Sequence, residues 1–468
     1  MNRNLVNLYH RVPGPVRSFA ASLWGIHLRR SRYGRDTDKL ITEATAREFW
    51  TEQQWTVWRE DRLARLLHRA ATQVPFYEEH WRARRAKGDK ASWENIENWP
   101  VLQKDDLRQN ARAFVARDCR PERMVHLTTS GTTGKPVNLW RTLETNHAWY
   151  ALWEARRNWY GVTRFTRWAN IGGQLVVPVG ATKPPFWVWN LGLQQLYLSS
   201  YHLAPAFMPH YIRALRQYSI EYVFGYSSSL YALASQILRQ GERLRMKVAI
   251  TNAEPLFDYQ RRVIEQAFDC PVRETYGMSE IAAAASECPS GVLHEWPDAG
   301  YIEVLNDGVP AKSSETGDLV ATGLLNPDMP LIRYATGDRA RRSAAKANCS
   351  CGRTLPVMDA IEGRKDEVLF TADGRQIGRL DPVFKADLPL HEAQIIQESL
   401  TKLVVKYVPA AGFSSAAAND IVANIRQRMG QVDVVLEEVS EIPRGANGKF
   451  RAVICKLSPE EKRSVLVN

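Results

Sequence analysis

Three short apolar runs in the middle of the chain, each cut off by a loop of small or polar residues, constrain the fold more than any other feature. Glu221 to Phe224 leads into Gly225-Tyr226-Ser227-Ser228 and a helix through Leu238. Lys247 to Ile250 leads into Thr251-Asn252-Ala253-Glu254-Pro255 and a helix to Phe268, and Val272 to Thr275 leads into Tyr276-Gly277-Met278-Ser279-Glu280. Repeated strand-loop-helix units predict an α/β sheet, and such sheets take their ligands outside the carboxyl ends of the strands.

At 468 residues the chain is too long for one core of ordinary size, and two or three domains are expected. A 44% apolar fraction, 24% charged residues and 15 Trp separate it from disordered, collagen-like and coiled-coil sequences. From Thr45 to about His80 the spacing predicts a helix with Leu63, Leu66, Leu67 and Ala70 on one face, ended by the Val74-Pro75-Phe76-Tyr77 corner. Met124 to Leu127, a Thr/Ser/Gly tract and Val137 to Trp140 read as strand, glycine loop and strand. Asn146 to Trp159 carries Trp149, Leu152, Trp153 and Arg156 at helical intervals, as a core stripe would. Composition shifts after about Arg364, where strand-like runs (Glu367 to Phe370, Lys402 to Tyr407, Asp433 to Leu436) surround a helix from about Asn419 to Met429. We therefore place a domain boundary between residues 365 and 366, giving a large unit over 1–365 and a small one over 366–468.

The formal charge of +11 is dilute over this length; it suits an enzyme that handles phosphates or other acids and does not diagnose nucleic-acid binding. Six cysteines do not make a secreted disulfide framework, so a reducing cytoplasm is expected. No apolar run reaches the length of a membrane span. Within residues 1–45 a basic N-terminal helix is expected, with an apolar patch from Val16 to Leu28 followed by Arg29, Arg30, Arg32 and Arg35. That order is the reverse of a signal peptide; it fits either a helix packed on its own domain or peripheral contact with the anionic inner face of a membrane.

The sharpest local feature is Thr128-Thr129-Ser130-Gly131-Thr132-Thr133-Gly134-Lys135-Pro136. Small residues let backbone N–H groups converge into an anion-binding nest, hydroxyls add donors, and Lys135 adds a mobile charge, which suits a polyphosphate. A Walker A loop is excluded, because Pro136 follows the lysine and a strand rather than a helix comes next. Glu280 and Asp338 are each expected just beyond a strand, in Tyr276-Gly277-Met278-Ser279-Glu280 and Tyr334-Ala335-Thr336-Gly337-Asp338. A carboxylate so placed can hold Mg²⁺ or accept hydrogen bonds from ribose hydroxyls. Pro443 to Arg451 puts Lys449 on a glycine loop, where it could neutralise charge on a transferring phosphoryl or adenylyl group.

In this order the motifs resemble those of the adenylate-forming superfamily, over about residue 60 to the end. The segments Leu66 to Ala70 with Val74 to Tyr77, Pro100 to Asp106, and Cys349-Ser350-Cys351-Gly352-Arg353 are similar to the phenylacetate-CoA ligase branch, especially members found in bacterial capsule and exopolysaccharide clusters. The resemblance implies a large N-terminal domain built on α/β sheets and a small mobile α+β C-terminal domain. It implies that ATP and a small carboxylic acid give an acyl-adenylate and pyrophosphate, and that the acyl group then passes to a thiol or amine, CoA being the leading acceptor. In the same way Thr129 and Ser130 to Lys135 would bind the phosphates, Ala253-Glu254-Pro255 would face adenine, and Thr275, Tyr276 and Gly277 would lie by the nucleotide. Glu280 would hold Mg²⁺, Asp338 the ribose, Arg364 ribose or phosphate, Asp366 would be the hinge, and Lys449 the adenylation lysine. Two departures are Ser279, which keeps the usual hydroxyl, and Asn252 where the adenine loop has Gly.

Gly225, Tyr226 and Ser227, with Trp168 to Gly173 and Pro184 to Trp189, are expected to line the acyl pocket. Cys288, His294, Cys349 and Cys351 offer a Cys3His set for structural zinc. Two other readings stay open: an amide-forming ligase that passes the acyl group to an amine such as an amino sugar or amino acid, and an inactive nucleotide-binding partner of a polysaccharide assembly complex. Joint retention of Lys449, Glu280 and Asp338 argues against the latter. Monomer and homodimer are both compatible with the sequence, and no nucleic-acid partner is expected.

Overall fold

The computed structural model describes residues 9–129, 137–178, 180–253, 256, 258–313, 315–343, 349–362, 369–377, 383, 388–442 and 453–466. Among them the largest unit is a sheet of 13 strands with two regimes. Five parallel strands lie side by side in the spatial order Gln195–Ser199, Trp168–Gly172, Tyr222–Tyr226, Ala249–Asn252 and Val272–Gly277. From Val272–Gly277 the sheet continues antiparallel through Ala284–Glu287, Leu293–Glu295, Val357–Glu362, Tyr334–Arg342, Thr316–Gly323 and Gly300–Asn306. The three strand-loop units sit in the parallel half, where a crossover connection, usually a helix, must return the chain.

Each half buries its own core. The amphipathic helices Met208–Gln217, Ser227–Arg239 and Asp258–Phe268 cover the parallel strands with Leu215, Leu230, Leu233, Ile264 and Phe268, all buried. The antiparallel half is covered by the Glu52–Gln73 and Pro75–Arg85 helices, whose Leu63, Leu67, Tyr77 and Trp81 pack against Leu331, Ile332 and Met358. The expected single helix from Thr45 to His80 is thus three pieces: Thr37–Arg47, Glu52–Gln73 and Pro75–Arg85. Thr51 starts the second with a capping box to Gln54, and Pro75 stops that helix while itself opening the next, where its fixed φ is an asset. Likewise the Trp149 helix starts earlier than read, at Leu143, because Thr142 caps it through the Thr145 N–H.

After the Val357–Glu362 strand the chain leaves the large sheet, and a separate four-stranded sheet forms from Leu390–Ser399, Lys402–Pro409, Asp433–Glu438 and Val453–Cys455. The Ser415–Met429 helix packs Ile421 and Ile425 against it. The residues at the expected boundary and hinge, Lys365 and Asp366, lie outside the described residues. Contact between the two units is visible where Arg375 Nη1 donates to the Tyr201 carbonyl oxygen at 2.6 Å and Arg428 lies 5.8 Å over the Tyr201 ring.

The N-terminal Gly14–Arg32 helix closes the sheet edge, with the Ser18 and Ser22 hydroxyls accepting from the backbone N–H groups of Trp189 and Leu191. No helix of the described residues is long and apolar enough to cross a membrane. The segment that follows is held by a buried carboxylate that the sequence did not advertise. Glu48, wholly buried, accepts from Arg156 Nη1 at 2.5 Å, Arg353 Nε at 2.7 Å and Trp159 Nε1 at 2.8 Å. Arg156 also donates to Asp298 at 3.1 Å, and Arg47 reaches Asp298 as well. Removing Glu48 would leave Arg353 without its carboxylate and Arg156 with Asp298 alone in a low-dielectric interior. Glu48→Ala is expected to destabilise the large unit by about 3–5 kcal/mol, read from urea unfolding followed by tryptophan fluorescence; a loss below about 1 kcal/mol would show that water replaces the network.

Candidate active site

Glu280 lies three residues beyond the Val272–Gly277 strand, as expected. Asp338 does not lie beyond a strand. It sits inside the Tyr334–Arg342 strand, where the pairing with Thr316–Gly323 slips: Ala335 faces Val320 and Arg339 faces Asp318, so Thr336-Gly337-Asp338 stand opposite Leu319 alone. The small residues that looked like a turn make a bulge, with Gly337 at φ +82° and the Thr336 hydroxyl donating to the Leu319 carbonyl oxygen at 2.9 Å. A bulge bends the strand and re-aims a side chain, here Asp338, without ending the sheet.

The two acids are joined by crossed hydrogen bonds. Tyr276 donates its phenol to Asp338 Oδ2 at 2.8 Å, and Tyr334 donates to Glu280 Oε1 at 3.0 Å. Each tyrosine stands four residues before one acid and binds the other, so the end of the parallel half and the bulged antiparallel strand are locked into one constellation. Burial, with the Asp338 charge second, holds the Tyr276 phenol well above its ordinary range, which keeps it a donor throughout the physiological span.

Lys104, given no role by the sequence reading, belongs to this group. Its ammonium is 3.6 Å from Glu280 Oε1, and the glutamate side chain is only 7% exposed. The lysine is delivered by backbone pairing: Leu102 N–H donates to the Arg333 carbonyl at 2.9 Å and Ala335 N–H to the Leu102 carbonyl at 2.9 Å, which lays this segment along Tyr334. Pro100 to Asp106 was legible as a family mark, and that was the available signal. A buried carboxylate beside one cation and one phenol has the hard-oxygen chemistry Mg²⁺ requires, so the residues fit that ion.

Thr129 follows the Val125–Thr128 strand, and its N–H donates to the Val137 carbonyl at 3.0 Å while its Oγ1 accepts from Val137 N–H at 3.2 Å. These bonds pinch the neck of a seven-residue excursion. Thr129 therefore closes the loop, whereas Ser130, Gly131, Thr132, Thr133, Gly134 and Lys135 lie outside the described residues, as do Glu254, Pro255, Arg364 and Lys449. Ala253 has the left-handed φ of +66°, a strained value for a residue with a Cβ, just after Asn252 closes the Ala249–Asn252 strand. Thr251 Oγ1 and Asn252 Oδ1 are buried with no hydrogen-bond partner among the described residues. Orphaned polar atoms at a strand's carboxyl end beside a strained loop fit a nucleotide base. Thr275 is turned to its own sheet, its Oγ1 donating to the Ala285 carbonyl at 3.3 Å and touching Ser286 Oγ.

Of the residues expected at the acyl pocket, Gly225 is needed for sheet packing: a Cβ there would come within 2.5 Å of the Ile171 carbonyl oxygen. Ser227 is buried at the start of the following helix. Tyr226 faces Gly173, where an added Cβ would lie 3.1 Å from its hydroxyl, and Tyr201 donates to the Gly173 carbonyl at 2.8 Å. Tyr201 is also the residue that the C-terminal unit grips through Arg375.

A family model described as the CapK C-terminal domain matches residues 369–456. Protein CapK of Staphylococcus aureus is 26% identical over 397 residues, 81% of this chain and 84% of that protein. The phenylacetate-coenzyme A ligase of Thermus thermophilus is 27% identical over 336 residues, 67% of this chain and 71% of its own. The chain is thus similar along most of its length to Protein CapK and to phenylacetate-coenzyme A ligases, and it carries the CapK C-terminal domain. Its fold is shared with 2-hydroxyisobutyryl-CoA ligase solved with 2-HIB-AMP and CoA in the thioesterification state, at a TM-score of 0.56 and 20% identity over 87% of this chain and 91% of that one. The postadenylation state of the same ligase gives a TM-score of 0.53 over 90% of this chain and 93% of that one.

Glu274, one residue before Thr275, has its carboxyl pushed up to about 7 by burial, with the Glu287 charge second. A carboxyl whose folded pKa is raised contributes stability that is complete below the unfolded value near 4.3 and is lost as pH rises through about 7. Glu274→Gln, neutral at every pH, is expected to melt like the parent protein near pH 4.5 and to be the more stable by up to about 3 kcal/mol above pH 8, in thermal melts across that range. Equal melts at high pH would contradict it.

Proposed function

We propose that this adenylate-forming ligase activates a small carboxylic acid with MgATP, releasing pyrophosphate, and passes the acyl group from the adenylate to the thiol of CoA. The observation that carries the reading is the crossed pair, Tyr276 to Asp338 and Tyr334 to Glu280, which sets two fixed carboxylates beside the ends of the parallel strands. In this reading Asp338 holds the ribose hydroxyls, and Glu280, already paired with Lys104, holds the Mg²⁺ that offsets repulsion between ATP and the attacking carboxylate. Mg²⁺ when bound supplies charge stabilisation at the phosphate oxygens. The phosphate loop from Ser130 to Lys135, closed at its neck by Thr129 and Val137, cradles the pyrophosphate group. Ala253-Glu254-Pro255 and Arg364 complete the nucleotide contacts. Asp366 is the hinge, and Lys449 is brought in for adenylation and withdrawn for thioester formation. The acyl group would lie beside Gly225, Tyr226 and Ser227, near the Tyr201 contact with the C-terminal unit. A place in capsule or exopolysaccharide assembly, implied by the family resemblance, belongs to the same proposal.

Isotope exchange between ATP and pyrophosphate, run with a panel of aromatic, aliphatic and amino acids without CoA, tests this reading. Stimulation by one acid class is expected; CoA thioester formation then separates it from amide ligation, in which product forms only with an amine. Lys449→Ala is expected to lower adenylation by about 10²–10³-fold while acyl transfer from a supplied adenylate falls far less. Equal losses in the two half-reactions would contradict the two-position role of the C-terminal unit.

A further inference from the structure

Cys288, His294, Cys349 and Cys351 converge so that one ligand atom from each lies within 4.8 Å of all the others. Cys288 Sγ and Cys349 Sγ are 3.5 Å apart, and Cys351 Sγ is 3.6 Å from His294 Nε2. A tetrahedron with metal-sulfur arms of about 2.3 Å has edges of about 3.8 Å, so these separations suit one ion rather than a larger cluster. His294 is wholly buried, and its Nδ1 meets the Leu355 carbonyl oxygen at 3.0 Å, which fixes the ring and leaves Nε2 for a metal. Two matching turns present the thiols. Gly291 N–H donates to the Cys288 carbonyl at 2.9 Å and Gly352 N–H to the Cys349 carbonyl at 3.0 Å, and both glycines have φ of +77°.

We infer that these four side chains bind one structural Zn²⁺. Three thiolates and an imidazole fill all four positions, leaving none for water or substrate, so the ion has no catalytic role. Its position agrees. The register that pairs Tyr276 with Ala285 and Thr275 with Ser286 carries Cys288 toward the amino end of the Val272–Gly277 strand, away from Glu280. The ion would join the turn between Ala284–Glu287 and Leu293–Glu295 to the loop that links the Asp338 strand with Val357–Glu362. Arg353, two residues after Cys351, ties that loop on to Glu48.

Elemental analysis of protein purified without chelator is expected to give one zinc per chain, and cobalt substitution to give the intense visible bands of a tetrahedral thiolate site. Cys351→Ser is expected to lose the metal; should that variant fail to fold, the parent protein's metal content still decides. Zinc-free protein with freely titrating thiols, or a mass showing a Cys288–Cys349 disulfide, would overturn the assignment.

An independent observation carries a second proposal. The Gly14–Arg32 helix buries Gly14, Arg17 and Gly25 against the sheet edge, while Val16, Phe19, Leu23 and Ile26, on the opposite face, are 41–65% exposed. The helix holds no acidic residue, and of its four arginines Arg17 is buried whereas Arg29 and Arg30 line a hollow of about 400 Å³ with Arg164, Tyr33 and Phe165. We propose that this face docks on an anionic lipid surface, the apolar stripe entering the interface and the arginines meeting phosphate groups. Co-sedimentation with phosphatidylglycerol-containing vesicles is expected, with loss in high salt, none on phosphatidylcholine alone, and at least about tenfold weakening by Phe19→Ser with Leu23→Ser. No vesicle binding, or self-association through this face in sedimentation analysis, would overturn it.

Discussion

The crossed bonds from Tyr276 to Asp338 and from Tyr334 to Glu280 are what the rest of the site depends on. Neither acid is positioned by its own segment alone. Each is held by a phenol that belongs to the other segment, so a shift of the antiparallel half against the parallel half would break both bonds at once. Such mutual dependence is how a loop-borne carboxylate acquires the precision that catalysis by positioning and charge requires.

Around that pair the architecture divides the labour. The parallel strands supply open carboxyl ends, and the antiparallel extension supplies the bulge that turns Asp338 toward them. The segment carrying Lys104 is laid along Tyr334 by backbone pairing on both sides of Leu102, so the cation reaches Glu280 through main-chain geometry rather than by a long flexible reach. Farther out, Glu48 gathers Arg156, Arg353 and Trp159 and so couples the N-terminal helices to the loop bearing Cys349 and Cys351. Removing one member of such a buried network is costly, because the charge it faced is left uncompensated.

Much of this was legible from sequence, for identifiable reasons. Local apolar runs followed by small-residue loops revealed three of the five parallel strands, because alternation of strand and helix leaves a periodic trace. Glu280 was read correctly as a residue beyond a strand. Asp338 was misplaced because a three-residue bulge and a turn use the same small residues, and only the partner strand distinguishes them. Pro75 was read as a stop and proved also to be a start. Glu48 was missed, and Lys104 was seen only inside a family segment without its role: their partners lie 108 and 176 residues away, and no local pattern encodes a contact at that separation. Cys288, His294, Cys349 and Cys351 were proposed from composition, and their convergence depends on the same long-range strand pairing.

The most direct test of the central claim follows oxygen. With an acid that supports pyrophosphate exchange, ¹⁸O-labelled in its carboxylate, attack on the α-phosphorus must leave one labelled oxygen in the AMP released when the acyl group moves on to its acceptor. Label recovered in AMP is the result predicted. Label recovered in inorganic phosphate with formation of ADP, or AMP released without label, would contradict adenylation at this site.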